Sequence, residues 1–382
     1  MKGHETLQSA VIVLTDQGLA TGQRIINGFL QESPENVKRF GSLGQTLSSR
    51  TEVPELWVHK KCQVELTQAG EGYHLFERLA EILPDLWRKS SLLIFVMATG
   101  IVIRQIASLL QSKDRDPAVL VLDEKGQFVI SLLSGHLGGA NAWTYELAQR
   151  LKAQPVITTA TDVQGLIAPD EYARRLGWEV APVHGIKAVN RYLLDKGYLK
   201  VWSEVELSPE HPLCLDPHYN FVKTEDKENA QIWITPSPEV DWSRDHARIT
   251  LTPKILSIGV GSRRGISKER VLEAIHEALL KIGASEQSIF GIFSIDLKKE
   301  ETGIIEAAIE LEVPFRTFAA KDIQEVVDQQ GLSQSEYVKE KIGVDGVCEA
   351  ASLLGTRQGE LILSKQKHQG VTVAISREKS SL

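Results

Sequence analysis

Phe128-Val129-Ile130-Ser131-Leu132-Leu133, running into Ser134-Gly135-His136-Leu137-Gly138-Gly139-Ala140-Asn141, is the stretch whose reading decides the fold. Its first half is apolar, β-branched and aromatic, the composition of a buried strand. Beyond it Trp143, Leu147, Ala148 and Leu151 recur at helical spacing, so the glycine-rich segment joins a strand to a helix. Gly135, Gly138 and Gly139 admit positive φ and let a ligand approach the backbone. The free N–H groups at the start of the following helix favour negative charge. A carboxylate or phosphate would suit this turn.

The flanks extend the same pattern. Ala118-Val119-Leu120-Val121-Leu122 and the strand at Phe128 are separated by Asp123-Glu124-Lys125-Gly126, which is hairpin turn chemistry. Upstream, Leu92 to Met97 reads as a strand, turns at Ala98-Thr99-Gly100 and continues as a helix through Val102, Ile106, Leu109 and Leu110. Ala10 to Leu14, the turn Thr15 to Gly18 and a helix through Ile25, Ile26 and Phe29 open the chain the same way. Downstream, Pro155-Val156-Ile157 is a short strand, and the polar run Thr158-Thr159-Ala160-Thr161-Asp162 after it is a second candidate ligand loop. From 165 to 252 periodicity weakens among proline, histidine and charge clusters, predicting a smaller middle domain and a linker. A clean signal returns at Lys254 to Gly265 and a helix bearing Val271, Leu272, Ile275, Leu279 and Ile282 on one face. Strand, helix, strand and helix follow over Ile289–Ile295, Thr302–Leu311, Pro314–Phe318 and Ala320–Gln329, and Glu360–Leu363 with Val371–Ile375 read as a closing strand pair. The expected fold is therefore multidomain α/β, with mostly parallel sheets flanked by helices and domains at 1–164, 165–252 and 253–382.

Composition narrows the function classes. At 382 residues the chain exceeds one ordinary core. A net charge of −7 gives no general attraction to nucleic acid or to an anionic membrane, so an anionic ligand must be held by local groups. Cys62, Cys214 and Cys348 are odd in number and lack CxxC pairing, which argues for a reducing, cytoplasmic setting. No apolar run reaches membrane-spanning length, and Met1-Lys2-Gly3-His4-Glu5 carries no targeting signature.

Several residues carry chemistry. His136 lies two positions after Ser134, inviting a general-base reading, whereas Ser134 lacks the GxSxG setting of a nucleophile and suits helix capping or substrate binding better. Thr158, Thr159, Thr161 and Asp162 offer hydroxyls and a carboxylate, with Asp162 either a base or the group that orients His136. Gly259-Val260-Gly261-Ser262-Arg263-Arg264-Gly265 is GxGxxxG, one residue longer than the dinucleotide fingerprint and without its acidic ribose partner. It reads instead as a glycine turn at a helix start, where Arg263 and Arg264 bind an acid group. Lys298 and Glu301 follow a strand, and Lys365 and Lys367 fall in the predicted turn of the closing pair. The remaining histidines lack metal-ligand spacing, and no protein-held metal is predicted.

Taken in order, these blocks resemble one family. Gly100-Ile101-Val102-Ile103-Arg104, Lys113-Asp114-Arg115-Asp116-Pro117-Ala118-Val119, Leu132 to Asn141 and Thr158 to Asp162 are similar to the cobalt-precorrin-5A hydrolase (CbiG) family of anaerobic cobalamin biosynthesis. Gly259 to Gly265, Lys298 with Glu301, Val344-Asp345-Gly346-Val347-Cys348-Glu349-Ala350-Ala351 and Lys365-Gln366-Lys367 carry the likeness into the last third. Ser262 stands where cysteine is common in that family and Thr302 where proline is usual. The resemblance implies opening of the δ-lactone that joins the ring A acetate to the meso carbon between rings A and D. That carbon and its methyl then leave as acetaldehyde. It implies a cobalt-corrin precursor as substrate, no cofactor beyond the cobalt that arrives in it, and transient contacts with neighbouring pathway enzymes. The substrate would be contacted by Gly100, Arg104, Ser134, Gly135, Gly138, Gly139, Asn141, Thr158, Thr159, Thr161, Gly261, Arg263, Arg264, Lys298, Glu301 and Lys365, its acetates and propionates by the two glycine turns with Arg263 and Arg264. His136, oriented by Asp162, is assigned as general base, with the N–H groups of Gly138 and Gly139 as oxyanion donors. A non-catalytic tetrapyrrole carrier is the alternative, and both the oligomeric state and a site within or between domains stay open.

Overall fold

The computed structural model describes residues 8–30, 53–62, 73–112, 115–238, 247–332, 346–356 and 359–378. Met1 to Glu5, Lys113, Asp114, Val344 and Asp345 lie outside the described residues. The chain forms two compact units, one through Arg175 and one from Leu176.

In the first unit the elements are β1 (Gln8–Val13), α1 (Asp16–Leu30), β2 (Glu55–His59), β3 (Tyr73–Phe76), α2 (Leu79–Lys89), β4 (Ser90–Val96) and α3 (Thr99–Ile106). They continue as β5 (Ala118–Leu122), β6 (Phe128–Leu133), α4 (Ala140–Leu151), β7 (Gln154–Val156), α5 (Ala160–Val163) and α6 (Pro169–Leu176). The seven strands order as β3-β2-β1-β4-β5-β6-β7. Alternation along each strand supplies two apolar faces. Val11, Val13, Ile94, Leu120 and Leu122 pack with Leu19 and Ile25 of α1 and Trp143 and Leu147 of α4. Ile12, Leu93, Phe95 and Val121 pack with Leu83 and Trp87 of α2 and Val102 and Ile106 of α3. Strands covered on both faces need continuous apolar runs, as Leu92 to Val96 shows. Each fully buried Leu, Ile or Phe contributes about 1.5 to 3 kcal/mol.

Strand direction positions the site. β1 to β5 run parallel, whereas β6 pairs antiparallel with β5 and β7 runs parallel to β6. The hairpin expected around Asp123 to Gly126 is present, and it reverses the chain. The segment after β6 therefore emerges at the edge where β5 begins, opposite the edge where β4 ends.

The second unit holds two sheets. β8 (Glu179–Ala181), α7 (Val183–Lys196), β9 (Leu199–Ser203), α8 (Pro212–Leu215), β10 (Tyr219–Phe221), β11 (Ile232–Ile234) and β12 (Ile249–Thr252) give a sheet ordered β10-β9-β11-β12-β8, parallel except for β8. Then come β13 (Leu256–Ser262), α9 (Lys268–Ile282), β14 (Ile289–Ile295), α10 (Thr302–Glu310), β15 (Phe315–Phe318), α11 (Ala320–Gln330), α12 (Cys348–Leu354), β16 (Gly359–His368) and β17 (Val371–Glu378). Their sheet is ordered β15-β14-β13-β17-β16. Val271, Ile275 and Leu279 of α9 cover one face, and Ile323, Val327, Ala350 and Ala351 of α11 and α12 cover the other.

Two readings of the last third are corrected. Gly259 and Gly261 are strand residues of β13, not a turn at a helix start, and α9 begins only after Ser267. A Cβ at Gly259 would overlap the carbonyl oxygen of Cys348, so this glycine permits α12 to lie directly on the sheet. Only Gly265, at φ 73°, is a turn glycine. Lys365 and Lys367 lie within β16, and the turn falls instead at Gln369 and Gly370. β16 runs longer than expected because its pairing with β17 extends to His368 opposite Val371.

Candidate functional site

The segment 134–139 folds on itself before any ligand is considered. Ser134 adopts φ 57° and Gly139 φ 83°, and the chain wraps tightly enough that a Cβ at Gly138 would sit 2.5 Å from the Ser134 Cβ. Ala140 N–H donates to the Ser134 carbonyl at 3.1 Å, Asn141 N–H to Gly135 at 3.0 Å, and Gly139 N–H to His136 at 2.9 Å. The first amides of α4 are thus engaged with loop carbonyls, and so is one of the two predicted oxyanion donors. The N–H of Gly138 has no acceptor among the described residues. Ser134 does not cap α4: its Oγ donates to the Asp116 carbonyl at 3.1 Å, and Gly139 holds the cap position without a side-chain bond.

His136 is directed into the unit. Its side chain is 13% exposed, and its Nε2 lies 3.1 Å from Asp162 Oδ2 while its Nδ1 lies 3.4 Å from Asp170 Oδ2. Thr161 Oγ1 is 3.3 Å from the same Nε2. Asn141 ties these parts together, because Nδ2 donates to Thr159 Oγ1 and to Asp162 Oδ2, each at 3.0 Å. Its Oδ1 accepts from Ser131 Oγ at 2.6 Å. Loop, α4 and α5 are thereby fixed to one another through side chains that follow β6 and β7. Both strands end at the same sheet edge, which explains the convergence.

Electrostatics fixes the state of the imidazole. Burial alone would lower its pKa, but hydrogen bonds to Asp162 and Asp170 and the charges of both carboxylates outweigh burial and raise it to about 10. His136 is therefore an imidazolium at neutral pH, with a donor on each nitrogen. That favours a proton donor or an anchor for anions over the base read from sequence. Asp162 Oδ1, by contrast, has no hydrogen-bond partner among the described residues, and the side chain is 24% exposed. Asp170, only 3% exposed, escapes the sequence reading. Within Pro169-Asp170-Glu171 it looks like the acidic first turn that most helices carry.

The other predicted residues group elsewhere. Thr158 is exposed at the end of β7. Gly100 and Arg104 sit on α3, after the far end of β4, where Arg104 Nη1 donates to the Gly100 carbonyl at 2.9 Å. They do not join the His136 cluster; strands of this length separate the two edges by about 20 Å. In the second unit Lys298 Nζ bonds Glu301 Oε2 at 2.9 Å, and Glu301 Oε1 accepts Gly265 N–H at 2.7 Å. Burial pushes the Glu301 carboxyl up, yet Lys298 and the Gly265 amide outweigh this and hold it below its ordinary range. Arg263 and Arg264 are exposed beside that turn. Gly261 lies against Thr372, whose Oγ1 donates to its carbonyl at 3.2 Å. Lys365 N–H donates to Glu349 Oε1 at 3.0 Å. Among the described residues no group of three His, Cys, Asp or Glu side chains is arranged to hold a metal ion.

Fold and cluster together define a multidomain α/β protein with an imidazolium–carboxylate site at one sheet edge. The chain belongs to the cobalamin synthesis G family, the cobalt-precorrin-5A hydrolase family: models of its N-terminal region match residues 81–162, of the central region of cobalamin biosynthesis proteins 167–253, and of its C-terminus 256–376. It is 33% identical over 307 residues to a cobalt-precorrin-5A hydrolase of Priestia megaterium, covering 77% of this chain and 80% of that protein. A cobalt-precorrin-5A hydrolase of Salmonella typhimurium is 35% identical over 295 residues, 74% of this chain and 81% of its own. Among solved structures, a cobalamin biosynthesis protein G homolog from Sulfolobus solfataricus is 22% identical with a TM-score of 0.36, covering 98% of this chain and 99% of that one.

Proposed function

We propose that this chain hydrolyses the ring A δ-lactone of cobalt-precorrin-5A, with release of acetaldehyde, to give cobalt-precorrin-5B. The observation that carries the reading is the likeness of about three quarters of the chain to two proteins named for that reaction. Lactone opening needs water activated on one side of the acyl carbon and a proton for the oxygen that leaves on the other. Asp162 takes the water's proton through Oδ1, and His136 donates through Nε2–H. The Gly138 amide stabilises the developing oxyanion. Taken by itself, the second unit exposes Arg263 and Arg264, whose charge-assisted bonds suit carboxylates such as those a corrin carries. Cobalt enters as part of the substrate. The three cysteines are free thiols, and among the described residues no helix is long and apolar enough to cross a membrane. Both suit a cytoplasmic pathway enzyme.

The test is to incubate the purified chain with cobalt-precorrin-5A and trap acetaldehyde. Release by the wild type, and its loss of about 100-fold or more in Asp162→Asn, is the expected outcome for a missing general base. Tight binding of unaltered substrate without acetaldehyde would instead make the chain a tetrapyrrole carrier.

A further inference from the structure

A histidine between two carboxylates has one more partner than the lactone reaction requires. The second, Asp170, comes from α6 and lies in the segment matched by the central-region model, whereas His136 and Asp162 fall in the N-terminal match. We propose that Asp170 is a positioning residue, whose carboxylate takes the Nδ1–H of His136 and so fixes the ring with its Nε2–H turned toward Asp162. The geometry supports this in three ways. Asp170 Oδ2 lies 3.4 Å from Nδ1, on the side of the ring remote from Asp162. At 3% side-chain exposure, its carboxylate is too buried to be left to water, and a buried anion is tolerated where charged or hydrogen-bonding partners meet it. It also occupies the first turn of α6, where the unpaired amides of a helix start favour a negative charge.

The neighbouring charges leave this role to Asp170. Glu171 accepts from Arg174 at 2.7 and 2.8 Å and from Arg175 at 2.8 Å, which draws both arginines to it. Arg174 also lies against Gly139. The charged groups facing the His136 ring are thus Asp162 from α5 and Asp170 from α6, with the Thr161 hydroxyl beside Nε2. A neutral ring carries one proton and can satisfy one carboxylate. Two carboxylates at opposite nitrogens are both satisfied only by the doubly protonated ring, so Asp170 selects the donor form of His136 and leaves base chemistry to Asp162. The placement of the ring stands without the hydrolase reading, whereas its consequence for turnover rests on that reading.

The test uses full-length protein labelled with 15N-histidine, with the His136 signals assigned by their absence in His136→Gln. In the wild type His136 stays doubly protonated through pH 8. In Asp170→Asn its titration moves down by about 1 to 3 pH units, the ordinary effect of one adjacent carboxylate. The alkaline limb of acetaldehyde release moves down with it. kcat falls about 10-fold or more while KM changes by less than about twofold, and Asp170→Glu restores part of the loss. A wild-type His136 that titrates near 6.5, or an Asp170→Asn protein whose His136 titrates as in the wild type, overturns the proposal. If Asp170→Asn does not fold, the wild-type titration decides alone. Failure of the wild type to release acetaldehyde would overturn the hydrolase reading and leave the titration result standing.

Discussion

Raising the pH should weaken the first unit through a single side chain. The pKa of His136 is raised from 6.5 to about 10 by Asp162 and Asp170 against the opposing effect of burial. A group whose pKa is higher in the folded state stabilises the fold fully below its unfolded value and loses that contribution as pH climbs through the folded one. The window is therefore about pH 6.5 to 10. At about 1.36 kcal/mol per pH unit the interval caps the effect at about 5 kcal/mol, and solvent reaching the 24% exposed Asp162 lowers the expectation to about 2 to 3 kcal/mol. Urea unfolding at pH 6.5, 8 and 9.5, with hydrogen-exchange pulses read on peptides of α4 and β6, reports the relevant unit and not the whole chain. The wild type should lose about 2 kcal/mol or more across this range beyond any loss in His136→Gln, which keeps hydrogen-bonding capacity without a titrating charge. Parallel curves for the two proteins would refute the reasoning, because they would mean that the imidazolium contributes nothing its neutral replacement does not.

Three further outcomes follow from the geometry. Gly138→Ala places a methyl 2.5 Å from the Ser134 Cβ and 2.8 Å from its carbonyl oxygen; the loop must open, at about 1 to 3 kcal/mol, and His136 NMR signals should shift even at pH 7. Gly259→Ala should unfold the C-terminal sheet in circular dichroism melts, at about 4 kcal/mol or more, because its Cβ overlaps the Cys348 carbonyl, whereas Gly265→Ala, with open space around it at φ 73°, should cost about 1 kcal/mol. Arg104→Ala should leave the His136 titration unchanged, since α3 begins at the opposite sheet edge; a displaced titration curve would show that the two edges communicate.

The first unit was legible because its strands are buried on both faces and its helices amphipathic, so that Leu92–Val96 and the Trp143–Leu147–Leu151 stripe announce themselves locally. The middle sheet was not. Its strands at Glu179–Ala181, Tyr219–Phe221 and Ile232–Ile234 are three residues each, too short for a period of two to stand out from loop, and their pairing partners are distant in sequence. Gly259 shows a different failure. Its sequence context is that of a ligand turn, but what demands the missing side chain is a carbonyl of α12 far along the chain, and no local pattern carries that information. The site divides in the same way. His136 and Asp162 each follow a strand, a position that marks them, and the reversal of β6 and β7 brings them to one edge. That same reversal removes Gly100 and Arg104, whose turn likewise joins a strand to a helix through a glycine but follows a strand running the other way. Asp170 follows no strand at all, and its composition is that of an ordinary helix start. A buried acid in a first turn differs from an exposed one only in what lies opposite, here the Nδ1 of a histidine held by a separate loop. Direction and opposition are long-range properties, so of the two carboxylates that raise the pKa of His136, Asp162 was legible in the sequence and Asp170 was not.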